Sequence, residues 1–203
     1  GGISQFNACL YGELSRNHDV KAFNFRRQYP EFLFPGKTQF VTPDDEAVPI
    51  ESTSLLDTAN PFSYISTYRA IRDWKPDLLI VRYWMSYFAP SLGYITRKMK
   101  KHCKVISILD NVVPHEQRFF DTPLTKYFLT GSTGSITLCE AVSEDLLRLK
   151  PEARYTVIQH PLYSHFGEKK TREEAEKKLG LQTGKKNILF FGLIRKYKGL
   201  DIL

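Results

Sequence analysis

The chain predicts an α/β protein with a doubly wound parallel sheet, and two observations carry that prediction. Short strand-like runs rich in apolar and β-branched residues, Leu78–Val81, Val105–Leu109, Ser135–Leu138 and Tyr155–Ile158, recur along it. Such runs are how strands of a parallel sheet read, because both of their faces are covered. Between them lie segments whose apolar residues recur at helical spacing, so strand–helix units follow one another without tandem repeats. At 203 residues, with 42% hydrophobic and 25% charged residues, the composition is that of an ordinary globular protein.

Taken in order, Ile3, Phe6, Leu10 and Leu14 mark one face of an amphipathic helix over about 3–15, with Gly1-Gly2 as a glycine turn ahead of it. Asp19–Phe25 reads as a strand. Residues 26–59 lack periodicity and hold Pro30, Pro35, Gly36, Pro43 and Pro49, so a long surface loop is expected, with a short strand near Gln39–Val41. Within it Asp44-Asp45-Glu46 follows no strand, which makes a solvated acidic turn the reading and no metal site is assigned. Asn60-Pro61 caps a helix to about Trp74, carried by Phe62, Ile65, Tyr68 and Ile71. After the strand Leu78–Val81, a helix through Phe88, Leu92, Ile95 and Met99 tolerates Pro90 in its first turn. Its end is basic: Arg97, Lys98, Lys100, Lys101 and Lys104 either complement the helix C-terminus or face an anionic membrane.

The strand Val105–Leu109 runs into Asp110-Asn111-Val112-Val113-Pro114-His115-Glu116. Polar residues just beyond the carboxyl end of a parallel strand lie where open α/β sheets bind ligands. Asp110 reads as an anchor for a hydroxyl or as a cap of the next turn. His115 reads as a catalytic imidazole or as a loop residue bonded to a carbonyl. Pro123 opens a helix to about Thr130, and Ser135–Leu138 is the next strand. The following helix has the apolar face Val142, Leu146 and Leu149. Glu140, at its start, reads as a helix-start residue. Thr171-Arg172-Glu173-Glu174 is a capping box that opens a helix to Leu179.

In Asn187–Ile202, an apolar run (Ile188–Phe191) stops at Gly192, and Arg195, Lys196 and Lys198 precede Gly199 and a helix start. A strand, a glycine turn and a helix N-terminus bind phosphate, because free N–H groups and the helix dipole converge there. The other reading is a solvated basic loop.

The segment FFGLIRKYKGLDIL resembles the start of the C-terminal domain of family 4 glycosyltransferases, retaining enzymes of the GT-B fold, and DNVVPHE resembles a loop of their N-terminal domain. The resemblance spans nearly the whole chain. It implies that Gly192, Arg195 and Lys198 hold the diphosphate of a sugar-nucleotide donor. Lys198 stands at the family's lysine position. Leu193 occupies the usual arginine position, and Arg195 follows two residues later. The family's histidine near the transferred sugar is Asp110 here, with His115 five residues on. Gly1-Gly2 match a glycine-rich loop that approaches donor and acceptor sugars, and Glu140 falls where the family's chain passes a polar turn facing the cleft, which makes it a site candidate. His160-Pro161 fits the crossing between domains, which implies an acceptor-side domain over 1–160 and the start of a donor domain over 161–203.

The chain begins Gly1-Gly2-Ile3 and stops inside an apparent helix at Leu203, and so reads as a fragment. The resemblance then implies that a central first strand is missing. The strands at Val20 and Leu78 should flank an empty slot, and the chain alone should be inactive and poorly stable. The tail from Asn187 should be unsettled.

The resulting expectation is a metal-independent retaining glycosyltransferase with a nucleotide-sugar donor, a glycan or glycolipid acceptor and no further cofactor. The alternatives are a non-catalytic sugar- or nucleotide-binding module of the same fold and a dinucleotide-dependent oxidoreductase. The last requires G-x-G-x-x-G, for which the chain offers only Gly1-Gly2. Cys9, Cys103 and Cys139, odd in number and widely spaced, suit a reducing cytosol. The expected location is cytoplasmic, with peripheral contact at the inner membrane face. A net charge of +7 suits anionic partners; nucleic acid is not among those the reading assigns.

Overall fold

The computed structural model describes residues 2–30, 50–114, 117–162, 167–190, 194 and 199–202. The chain divides into two compact units, Gly1–His160 and Pro161–Leu203. In the first, α1 (Gly2–Leu14), β1 (Ala22–Arg27), β2 (Ser52–Asp57), α2 (Pro61–Trp74), β3 (Leu78–Tyr83), α3 (Ala89–Met99), β4 (Lys104–Leu109), α4 (Asp121–Leu129), β5 (Gly134–Thr137), α5 (Glu140–Leu149) and β6 (Tyr155–Val157) follow in order. Every strand pairing is parallel: β1 with β2, and β3-β4-β5-β6 as a four-stranded sheet. This is the α/β, Rossmann-like architecture that the alternating units predict.

Local chemistry accounts for the elements. Asn60 caps α2 by accepting from the Phe62 N–H at 3.0 Å, and the helix stops at Lys75, which takes a left-handed φ of 56°. Two glycines let helices pass closely. A Cβ on Gly131 would lie 2.2 Å from Thr96 Oγ1 and 2.8 Å from the Arg97 nitrogen, and one on Gly93 would meet the Tyr127 ring. The core lies between the sheet and α3, α4 and α5, with Tyr83, Phe88, Met99, Leu109, Phe128 and Leu146 fully buried.

Two expectations are corrected. The region 26–59 contains β2, which the expected loop missed. Its sequence Ser-Thr-Ser-Leu-Leu-Asp has only two apolar residues, because it lies at the edge of the two-stranded sheet, where Arg27 ties it down through Asp57 at 2.9 Å. Gln39–Val41 and Asp44–Glu46 lie outside the described residues. The expected buried strand at Ile188 is absent over residues 187–190. Ile188 and Leu189 are more than four-fifths exposed, since a parallel strand forms only against a neighbour and the described residues after Pro161 supply none. In this second unit α6 (Arg172–Leu179) has the full capping box of Thr171 and Glu174.

No ladder joins β1 to β3 among the described residues. Phe25 of β1 meets Trp84, just past β3, with ring centroids 6.3 Å apart.

Candidate functional site

The carboxyl end of the four-stranded sheet is where its polar residues meet. The β3–β4 register sets Tyr83 against Leu109, and the Asp110 N–H extends the ladder by donating to the Tyr83 carbonyl at 2.9 Å. Side chains alternate along β3, so Arg82 and Tyr83 leave on opposite faces. Tyr83 turns into the core, stacked on Phe128 at 4.1 Å, with its hydroxyl 2.9 Å from Thr125 Oγ1. Burial there pushes the phenol well above its usual range.

Arg82 turns the other way and meets Asp110. Arg82 Nε donates to Asp110 Oδ2 at 2.6 Å and Nη2 donates to Oδ1 at 2.5 Å, a two-pronged pair. The two side chains are 7% and 17% exposed. α1 covers the pair: the guanidinium lies 4.1 Å from the Phe6 ring centre, and Nη1 donates to Asn7 Oδ1 at 3.4 Å. The His160 ring lies 5.5 Å from that of Phe6. Four separate segments thus converge on one corner: α1, the end of β3, the turn after β4 and the stretch after β6.

A second carboxylate braces the loop between β4 and α4. Asp121, 4% exposed at the start of α4, accepts from the Arg118 N–H at 2.6 Å and from the Ser86 hydroxyl. The loop's far end is therefore tied to the short helical turn Ser86–Phe88. Across the edge, Thr137 ends β5 wholly buried, and its Oγ1 has no hydrogen-bond partner among the described residues.

The expected site residues separate into three groups. Asp110 lies in the corner just described. Glu140 opens α5 at the same end of the sheet but is exposed, and its contacts are local: Ser143 Oγ donates to its carbonyl at 2.7 Å and to its carboxylate at 3.3 Å. Gly2 is the first residue of α1, with open space around it. Gly1, His115, Gly192, Arg195 and Lys198 lie outside the described residues.

Arg82, Phe6, Asn7 and His160 were not assigned to the corner from sequence. One signal was present: an arginine in the run Leu-Leu-Ile-Val-Arg-Tyr is unusual inside a strand unless something pairs it. No group of three or more His, Cys, Asp or Glu side chains that could hold a metal occurs among the described residues. No described helix is long and apolar enough to cross a membrane. In comparisons with known proteins, no family model and no curated sequence matches the chain.

Proposed function

We propose that the chain is the acceptor-side part of a retaining, metal-independent glycosyltransferase that takes a nucleotide-diphosphate sugar and acts on a glycan or glycolipid in the cytoplasm. The observation that carries the reading is the placement of Asp110. It lies at the carboxyl end of a parallel strand, where such sheets bind ligands, and it is fixed in direction by Arg82. Each of its oxygens accepts one guanidinium hydrogen and keeps a further lone pair. A sugar hydroxyl can donate to that lone pair. Arg195 and Lys198 belong to the reading by their sequence spacing alone: they would neutralise the departing diphosphate, the place where charge develops.

One observation favours the second reading, a sugar- or nucleotide-binding module without turnover. Both Asp110 oxygens are already engaged by Arg82, which suits holding a hydroxyl better than taking its proton. Release of nucleoside diphosphate from sugar nucleotides by the full-length protein separates the two. The enzyme reading expects release that Asp110→Ala lowers far more than it lowers donor affinity. Binding with no release supports the module, and neither binding nor release removes both.

A further inference from the structure

The amino end of the four-stranded sheet has a chemistry of its own. Strand order β3-β4-β5-β6 sets the strand starts side by side, and the C-termini of α3, α4 and α5 arrive among them. Lys98, Lys100, Lys101 and Lys104 stand at the α3–β4 junction, and Lys150 and Arg154 at the α5–β6 junction. No Asp or Glu occurs in 97–109 or in 122–139. The carboxylates at this edge include Asp73, paired with Arg72 at the end of α2, together with Asp77 and Glu152.

Helix ends explain only part of this charge. Lys100 Nζ donates to the Thr130 carbonyl and Lys150 Nζ to the Leu129 carbonyl, each at 3.1 Å, so one helix C-terminus already holds two ammonium groups. A helix end offers only about half a negative charge. Lys101, Lys104 and Arg154 are exposed, and none forms an ion pair among the described residues.

We infer that this edge docks on an anionic lipid bilayer, with the opposite, carboxyl edge turned away from it. The inference does not depend on the proposed enzyme activity. Two observations favour a bilayer over nucleic acid. The cations sit on the ends of separate elements along one edge, and among the described residues no helix or ribbon projects from it to enter a groove. The nearby rings are also covered, Tyr127 by Arg97 at 4.7 Å and Tyr94 by Lys98 at 6.0 Å, so they are not open platforms for stacking bases.

Co-sedimentation of the full chain with vesicles tests this, comparing equal parts phosphatidylglycerol and phosphatidylcholine with phosphatidylcholine alone. Binding is expected only to the anionic vesicles, weakening as salt rises. The triple variant K101E/K104E/R154E should bind them about 100-fold less, from a factor of roughly five for each basic residue lost. Its circular dichroism should match the parent; if it does not, the salt dependence of the parent chain decides. Equal binding to both vesicle types, no binding to anionic vesicles, or an unchanged affinity in a folded triple variant overturns the inference. Binding to a duplex oligonucleotide without binding to vesicles overturns it in favour of nucleic acid.

Discussion

Asp110→Ala separates a buried pair, and its cost can be worked from the surroundings. The substitution leaves the Arg82 guanidinium, 7% exposed, without its carboxylate. Stranding one partner of a buried ion pair costs about 3–5 kcal/mol. Here Phe6 and Asn7 still contact the cation, and Asp110 is 17% exposed, so water enters readily. The lower part of that range is expected, about 3–4 kcal/mol. Arg82→Met should cost a similar amount by stranding Asp110. The double variant should cost clearly less than the sum, because no charge is then left buried. The assay is urea unfolding of the chain and its three variants, followed by tryptophan fluorescence, since Trp74 and Trp84 both lie in the first unit. A coupling of at least about 1 kcal/mol is expected from a pair this close. Additive costs would refute the claim that Asp110 is fixed by Arg82.

Three further outcomes follow from other contacts. Gly131→Ala drives a methyl group into Thr96 and the α3 backbone, and should cost about 1–3 kcal/mol in the same unfolding assay. Tyr83→Phe loses the bond to Thr125, about 1 kcal/mol at neutral pH. It should also flatten part of the alkaline loss: above pH 10 the unfolded tyrosine ionises while the folded phenol stays protonated, so the parent's stability falls as pH rises. Absorbance of tyrosinate, with Tyr83 titrating late in the folded chain and on time in urea, checks the cause. Lys198→Ala should weaken nucleoside diphosphate binding to the full-length protein by about 2–4 kcal/mol; unchanged affinity in a calorimetric titration would remove the phosphate-loop assignment.

What could be read from the residues followed what was repeated or punctuated. The strands Leu78–Tyr83 and Lys104–Leu109 were found within two residues because they are apolar on both faces, and α2 because Asn60-Pro61 announces it. β2 was missed because an edge strand needs few apolar residues. The run at Ile188 looked like a strand but stands exposed, since periodicity says nothing about whether a neighbour is present. In the candidate site, Asp110 was legible from its position just past a strand. Its partner Arg82 was not, because the register that joins residues 28 apart is a property of the sheet rather than of either segment. Phe6 and His160 lie at opposite ends of the first unit and meet only once α1 is laid over the sheet.

Turnover of a sugar nucleotide is tested by nucleoside diphosphate release from the full-length protein in the presence of a metal chelator. Steady release is expected with at least one sugar nucleotide, undiminished by the chelator and strongly reduced in Asp110→Ala. No release from any sugar nucleotide, or release that Asp110→Ala leaves unchanged, would contradict it.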